Sequence, residues 1–266
     1  MQTLRVKDFN LPLTLESGQF FRYNNFAGFY YVNSKDRVIS LKQNGDYLIY
    51  DGVEQDFLKN LFGLNDNYNK IIKEISTDKL MTSLTQKYNG LRLMRQDPWE
   101  CMISYVCSSA SNIPKIQKNI ELLSQHFGEK VKVGGYISHS FPKVGNINLL
   151  EKIVHSKTGF RANYIYEINK MITLQKINHL QNMEYNDAHN ILTQLPGIGP
   201  KVADCISLFS LGHTEAFPVD TWIKRIMEKH YFDGNQTSNK KIKQFAQEYW
   251  GKNAGYAQMF LFMLRN

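Results

Sequence analysis

A lysine, a tight turn and a carboxylate stand close together in the C-terminal half of the chain. Residues 195–201 read Leu-Pro-Gly-Ile-Gly-Pro-Lys, and Asp220 follows nineteen residues later. We expect Gly197 and Gly199 to supply the positive φ of a turn between two helices, with Pro200 in a first helical turn that needs no N–H donor. The outward N–H groups of such a turn suit a phosphate. The segment therefore joins a phosphate-binding turn to a candidate amine nucleophile.

The lysine of this turn, Lys201, would stand at the N-terminus of the second helix. The helix dipole disfavours an ammonium ion there, and a neutral amine is a nucleophile. The ordinary alternative is a lysine solvated on a helix surface. Asp220 has the pattern of a helix N-cap, and capping would fix the direction of its carboxylate. Capping and catalysis are therefore compatible interpretations of Asp220.

Three further side chains could form a pocket for a planar base. Cys205 lies four residues after Lys201, and Gln258 and Phe262 are also four apart, so each pair shares a helix face. An aromatic face can stack on a flipped base while an amide bonds its pairing edge. The alternatives are a small buried hydrophobe for Cys205, core packing for Phe262 and a surface position for Gln258. The turn could likewise be an ordinary connection between helices.

Composition limits the class of protein. The chain has 266 residues, of which 42% are hydrophobic and 13% aromatic, enough for one large or two ordinary globular domains. A net charge of +8 favours a polyanionic partner. The start lacks a signal pattern, and no run approaches the ~18 apolar residues of a membrane span. We expect a soluble, intracellular protein, cytoplasmic or at the nucleoid, and nuclear in a eukaryote.

Cysteine and histidine usage argues against metal chemistry. Cys101, Cys107 and Cys205 form no C-x-x-C pair, which indicates reduced thiols and excludes a four-cysteine iron–sulfur cluster built by this chain alone. The seven histidines are scattered. The sequence therefore predicts no catalytic metal and no cofactor.

The elements that must position these residues fall into two regions. Up to residue 93, short aromatic and β-branched runs predict strands at 28–32, 37–41 and 47–50. Helical spacing predicts helices at 54–62, 67–84, 99–109, 113–127, 147–153, 161–174, 186–195, 201–211, 220–230 and 239–250. The predicted N-caps include Asp97, Asp220 and Ser238. We expect an α+β fold, with an antiparallel sheet domain at 1–93 and a mostly helical domain at 94–266.

Several motifs, taken in order, resemble those of one enzyme family. The hairpin at 195–201 and Pro-Val-Asp at 218–220 are similar to the helix–hairpin–helix (HhH-GPD) DNA glycosylase superfamily. The other matching segments are Ser-Gly-Gln-Phe-Phe-Arg at 17–22, Arg-Gln-Asp-Pro-Trp-Glu-Cys at 95–101, Cys-Ser-Ser at 107–109, Lys-Val-Ala-Asp-Cys at 201–205 and Ala-Gly-Tyr-Ala-Gln at 254–258. Together they resemble the 8-oxoguanine DNA glycosylase/AP lyases. The resemblance implies a TBP-like N-terminal sheet followed by an HhH-GPD domain.

The same resemblance implies a base-excision repair enzyme that acts on double-stranded DNA containing 8-oxoguanine. Lys201 would attack C1′, expel the base and form a Schiff base that leads to strand cleavage by β-elimination. Asp220 would stabilise the positive charge developing on the sugar. Gly18 would offer its carbonyl to the N7–H of 8-oxoguanine, where guanine has an acceptor.

The remaining pocket and backbone contacts also follow from the resemblance. The flipped base would lie between Phe262 and Cys205, and Gln258 would read its Watson–Crick edge. The hairpin glycines, Gly197 and Gly199, would face a DNA phosphate. Trp222 replaces a histidine that relatives often place near a phosphate, and its indole N–H could donate there. Family members also bind a structural alkali ion through hairpin carbonyls, here those near Leu195 and Gly197. We expect a monomer.

The chain departs from the family where the opposite base is read. Ala110-Ser111-Asn112 replaces the usual three asparagines, and Lys115 replaces an arginine. In relatives, that first asparagine and that arginine read the cytosine left behind by flipping, and Arg161 matches the second cytosine-reading arginine. Alanine cannot bond a base edge, and lysine lacks the bidentate fork of arginine. We therefore predict relaxed selectivity for the opposite base.

Two other functions are compatible with parts of the pattern. One is an HhH glycosylase for other oxidised bases, and the other is a non-catalytic HhH module that binds DNA through the hairpin. Monofunctional members typically lack the hairpin lysine, so Lys201 argues against alkylated-base and adenine specialists. The pairing of Lys201 with Asp220 argues against the non-catalytic module.

Overall fold

The computed structural model describes residues 1–265. Its strands are β1 (Gln2–Arg5), β2 (Tyr23–Phe26), β3 (Phe29–Ser34), β4 (Arg37–Asn44), β5 (Tyr47–Asp51), β6 (Lys130–Val133) and β7 (Tyr136–His139). The first five form an antiparallel sheet in the order β1-β5-β4-β3-β2, and β6 and β7 form a separate hairpin. Buried cross-strand pairs, Val32 opposite Ile39 and Leu41 opposite Tyr50, set the register of the sheet.

The rest of the described chain is mostly helical. The α-helices are α1 (Leu11–Glu16), α2 (Gln55–Leu61), α3 (Tyr68–Ile75), α4 (Lys79–Lys87), α5 (Pro98–Ser108), α6 (Ile113–Phe127), α7 (Leu150–His155), α8 (Arg161–Met171), α9 (Leu174–Gln181), α10 (Tyr185–Thr193), α11 (Pro200–Ile206), α12 (Thr221–Tyr231), α13 (Asn239–Trp250) and α14 (Ala254–Phe262). A π-helical turn, Ser207–Leu211, continues α11. The predicted α+β fold, with a sheet followed by helices, is confirmed.

The helix boundaries follow local side-chain chemistry. Asp97, Asp220 and Ser238 each accept a hydrogen bond from the backbone amide three residues on, so the three predicted N-caps are confirmed. The single helix predicted at 67–84 is wrong. Two helices, α3 and α4, occupy this region. Asp78 is the N-cap of α4, and its carboxylate accepts a hydrogen bond from the amide of Met81 at 2.9 Å. The prediction also omitted α1, α9, β1, β2 and the β6–β7 hairpin.

Two hydrophobic cores lie under these elements. One packs the sheet against α1 and α2, with Leu15, Ile39 and Leu58 fully buried. The larger one joins α5, α8, α11 and α14. The domain boundary between residues 93 and 94 stays a prediction. Among residues 1–265, no helix has the length and apolar character needed to cross a membrane.

The segment after α1 is fixed between the two cores. Arg22 forms a buried ion pair with Glu100 of α5, with Nη1 and Oε1 3.1 Å apart. Burial raises the pKa of the Glu100 carboxyl, and the charge of Arg22 opposes that shift. The amide of Gln19 donates to the carbonyl of Arg92 at 2.8 Å and accepts from the N–H of Met94 at 2.8 Å. Gly18 comes directly before Gln19 and is therefore held beside the helical region.

Candidate active site

The residues that the sequence assigned to chemistry meet in one cleft of about 1410 Å³. The pocket and catalytic candidates that line it are Gly18, Lys201, Cys205, Asp220, Gln258 and Phe262. Ala110, Gly197, Gly199 and Trp222 also line it. Segments more than 240 residues apart in sequence, from Gly18 to Phe262, thus form a single site.

The hairpin between α10 and α11 has one positive-φ glycine. Gly197 has φ +75°, and a Cβ there would lie 2.5 Å from the ring of Tyr164, so a side chain does not fit. The prediction of positive φ at Gly199 is wrong: its φ is −84° and its ψ is 177°. The cause is Pro200, the first residue of α11, because proline pushes the preceding residue into an extended conformation. Gly199 is instead the N-cap residue of α11.

Lys201 is the second residue of α11, which begins one residue before the start predicted for this helix, so Lys201 lies in the first turn. Its Nζ lies 5.5 Å from the ring centroid of Tyr105 on α5, and the face of a ring attracts a cation. The Tyr105 ring is buried, stacks on Phe209 and donates its hydroxyl to the carbonyl of Gln19 at 3.0 Å. Nothing in the local sequence separates Tyr105 from the other buried residues of α5, so no sequence signal indicated its place beside Lys201.

A buried ionic group fixes the helix that carries Lys201. The carboxylate of Asp204 accepts from Nζ of Lys243 on α13 at 2.8 Å and from the hydroxyl of Tyr185 on α10. Burial raises the pKa of the Asp204 carboxyl, and the charge of Lys243 opposes that shift. The contacts tie α10, α11 and α13 together and hold the start of α11 at the cleft.

Asp220 caps α12 with one oxygen and leaves the other available. Its Oδ1 accepts from the amide of Ile223 at 2.8 Å. The charges of Asp220 and Lys201 both act on the thiol of Cys205. Burial is the largest cause and raises the Cys205 pKa to about 11, the Lys201 charge opposes the shift, and the Asp220 charge adds to it. Cys205 therefore presents a neutral thiol to the cleft, beside both charged groups.

Gln258 has an unused acceptor. Its side chain is 6% exposed, and its Nε2 donates to the carbonyl of Pro218 at 3.3 Å. Its Oε1 is buried and has no hydrogen-bond partner within the described part of the chain. Because a buried acceptor without a donor is costly, this oxygen suits a ligand that brings an N–H group.

Gly18 lies against the ring of Phe262. Its φ is +93°, in the left-handed region, and a Cβ would come within 3.2 Å of Phe262 Cε1 and 3.4 Å of Ile113 Cδ1. Both the backbone conformation and the close contact therefore require glycine at this position.

The three residues expected to read the opposite base differ in their exposure to solvent. Ala110 is exposed at φ +48°, an unusual conformation for alanine, and Lys115 is exposed on the first turn of α6. Arg161 is fully buried instead. Its Nε donates to the carbonyl of Ser109 at 2.8 Å and its Nη2 to that of Ala110 at 3.0 Å. A contact between Arg161 and a base would require release of these carbonyls, so its base-reading role stays a prediction.

An exposed aromatic residue precedes Arg161. The Phe160 ring is 59% exposed and lies 4.5 Å from the Arg161 guanidinium carbon. Arg161, the next residue in the chain, bonds the 108–112 turn that lines the cleft. In the sequence, Phe160 lies between Gly159 and Arg161.

Of the residues expected to contact the DNA backbone, Gly199 and Trp222 are exposed and Gly197 is half-buried. Trp222, on the first turn of α12, is 48% exposed, and the Arg225 guanidinium lies 5.5 Å from its ring. The Leu195 carbonyl accepts one hydrogen bond, from the amide of Ile198 at 3.1 Å, which leaves a second lone pair. Carbonyl oxygens suit a hard cation, so the hairpin fits the predicted alkali ion. Residues 1–265 contain no cluster of three His, Cys, Asp or Glu side chains that could hold a metal.

Comparison with known proteins assigns the family. Residues 2–102 match the family model described as "8-oxoguanine DNA glycosylase, N-terminal domain". "N-glycosylase/DNA lyase OGG1" of Arabidopsis thaliana is 30% identical over 96% of this chain and 77% of its own length. The chain belongs to the 8-oxoguanine DNA glycosylase/lyase family.

Solved structures of the family agree with this fold over at least 98% of the chain. MBOgg1 in complex with a low-affinity DNA ligand has a TM-score of 0.92 and 36% identity, covering 98% of this chain and 93% of that one. The Clostridium acetobutylicum 8-oxoguanine glycosylase/lyase, in complex with DNA containing cytosine opposite 8-oxoG, has a TM-score of 0.92 and 30% identity, covering 99% and 97%. This chain is an N-glycosylase and DNA lyase, so the non-catalytic alternative is rejected.

Proposed function

We propose that this glycosylase/lyase excises 8-oxoguanine from duplex DNA and cleaves the strand through a Schiff base on Lys201. The carrying observation is the unpartnered, buried Oε1 of Gln258, which lines the same cleft as Lys201 and Gly18. The Watson–Crick edge of 8-oxoguanine offers N–H donors to such an acceptor. Its N7–H would suit the Gly18 carbonyl, whereas guanine would present a lone pair there and be rejected. The Clostridium relative acts on the same lesion.

Lys201 and Asp220 have different roles in the proposed reaction. The lone pair of Lys201 Nζ bonds to C1′ as the glycosidic bond breaks, and the bonding electrons leave with the base. The nitrogen passes a proton to the departing base, and its electron pair then forms an imine with C1′ as the C1′–O4′ bond breaks and O4′ takes up a proton. A base, such as the excised base or water, takes a C2′ proton, a C2′–C3′ double bond forms, and the C3′–O bond breaks with its electrons leaving on the 3′-phosphate, which cleaves the strand. The free oxygen of Asp220 stabilises the cation that develops on the sugar.

The surroundings of the cleft support a duplex as the partner. Lys224, Lys240 and Lys243 join Lys201 in lining the cleft, and a positive groove attracts a DNA backbone. Trp222 and the hairpin glycines would contact phosphates at its edge. Phe262 and the neutral thiol of Cys205 would enclose the flipped base.

A panel of lesion duplexes tests the proposal. The wild-type enzyme is assayed at equal concentrations on 8-oxoguanine, an oxidised pyrimidine, an alkylated purine and undamaged guanine, with borohydride added to trap a covalent adduct. We expect excision of 8-oxoguanine to exceed that of every other base by at least about tenfold, because only this base satisfies both Gly18 and Gln258. Faster excision of the oxidised pyrimidine would favour the alternative glycosylase for other oxidised bases.

The opposite base gives a second prediction. We expect the rates of 8-oxoguanine excision opposite C, A, G and T to differ by less than about a hundredfold. Ala110 cannot hydrogen-bond a base edge, and Lys115 lacks the paired N–H donors of an arginine. Ala110→Asn is expected to increase the preference for cytosine, because asparagine supplies an amide and tolerates φ +48° better than alanine. Single-turnover rates with the four duplexes measure both effects. A wild-type preference for cytosine above about a hundredfold would show that other residues read the base.

A further inference from the structure

Arg265 bridges two walls of the base pocket. It follows α14 in a short 3₁₀ turn, Met263–Arg265, and its guanidinium carbon lies 4.3 Å from the ring centroid of Phe262. Its Nη1 donates to the carbonyl of Ser17 at 2.6 Å, and its Nη2 donates to that of Glu16 at 3.4 Å. One side chain therefore contacts both the stacking ring and the loop that presents Gly18.

The three parts touch one another at Gly18. A Cβ on Gly18 would lie 3.2 Å from Phe262 Cε1 and 3.5 Å from Arg265 Nη1. Ser17 is buried, and its hydroxyl donates to the carbonyl of Thr14 at 2.9 Å, so the loop has a fixed base. On the other side of the loop, Gln19 is anchored through Met94. Arg265 adds the link from this loop to α14.

Arginine suits this position better than lysine. Its planar guanidinium can stack on a ring and donate several hydrogen bonds in one plane at the same time. Burial lowers the pKa of the Arg265 side chain, and the negative charge of Asp220 opposes that shift. The guanidinium also lines the cleft. The cation is therefore held at the pocket by a stack, two carbonyls and a nearby carboxylate.

We propose that Arg265 is a positioning residue for lesion recognition, which sets the separation between the Phe262 ring and the Ser17–Gly18 peptide. A flipped base must meet the ring face and the Gly18 carbonyl together, so a fixed separation favours the lesion that satisfies both. Arg265 acts through these two groups and contacts no reacting atom. The inference rests on the proposed excision of 8-oxoguanine.

Two substrates separate recognition of the base from the lyase step. Arg265→Ala and Arg265→Lys are compared with wild type on an 8-oxoguanine duplex and on a duplex with a preformed abasic site. Because the abasic site brings no base into the pocket, we expect excision of 8-oxoguanine to fall by about tenfold in Arg265→Ala and cleavage at the abasic site to change by less than about twofold. Arg265→Lys keeps the charge but loses the fork, and is expected to resemble Arg265→Ala.

Lys252→Ala is the matched control, since it removes an exposed cation just before α14. It is expected to leave both rates within about twofold of wild type. Equal losses on the two substrates in Arg265→Ala would indicate a general structural role and overturn the proposal. Unchanged excision would overturn it too, as would faster excision, which would mean that the guanidinium obstructs the pocket.

Hydrogen exchange tests, without damaged DNA, whether Arg265 ties the loop at Ser17–Gly18 to α14. We expect the peptide that contains Ser17–Gln19 to exchange faster in Arg265→Ala than in wild type, because the loop loses its tie to α14. Unchanged exchange in this peptide would contradict the proposed tie between Arg265 and the loop. A wild-type enzyme that leaves 8-oxoguanine in place would instead contradict the proposed function, so the two failures are distinguishable.

Discussion

Replacement of Lys201 by glutamine is expected to abolish the covalent adduct that borohydride traps with an 8-oxoguanine duplex. An amide nitrogen shares its lone pair with the neighbouring carbonyl, so it forms no imine with C1′. Removal of a catalytic nucleophile costs on the order of 10³-fold or more in rate, and both base excision and strand cleavage should fall by at least that factor. Gel analysis of the trapped adduct and single-turnover kinetics measure the two effects.

The substitution should leave the fold intact. Lys201 is the second residue of α11, where glutamine and lysine have similar helix propensities. The change removes a cation from the helix end that disfavours one, although the contact with the Tyr105 ring is lost. Lys252→Gln is the control, because Lys252 is exposed and lies outside the residues that line the cleft. It should retain the adduct. An adduct that persists in Lys201→Gln would identify a different amine as the nucleophile.

The sequence predicted those features of the site that depend on neighbours along the chain. Asp97, Asp220 and Ser238 cap helices because a side chain and an amide three residues away suffice for a cap. The positive φ of Gly197 also followed from the hairpin pattern. The positive φ predicted for Gly199 was wrong, because Pro200 holds the residue that precedes it in an extended conformation.

Contacts between distant segments had no comparable signal. The hydroxyl of Tyr105 bonds a carbonyl 86 residues away, and Arg265 bonds Ser17 across 248 residues. Their geometry arises only when the sheet domain packs on the helices. The short edge strands β1 and β2 were missed for a related reason. Their pairing with β5 and β3 stabilises them, and polar residues such as Asn24 and Asn25 disfavour a strand locally.

Replacement of Asp220 by asparagine is expected to lower base excision by about 10²- to 10³-fold while the protein stays folded. Asparagine is as good an N-cap as aspartate, so the bond to the amide of Ile223 and the start of α12 should survive. The substitution therefore removes the negative charge that faces the developing cation and little else. Single-turnover excision and the thermal unfolding midpoint report the two properties separately.

Asp220→Ala separates the cap from the charge. It removes both, so it should lose about 1 kcal/mol of stability relative to Asp220→Asn. If the charge governs catalysis, the two variants should excise the base at similar, reduced rates despite their different stabilities. If Asp220→Asn excised 8-oxoguanine at the wild-type rate while Asp220→Ala did not, the cap alone would account for the residue. The free oxygen of Asp220 would then have no part in stabilising the cation at C1′.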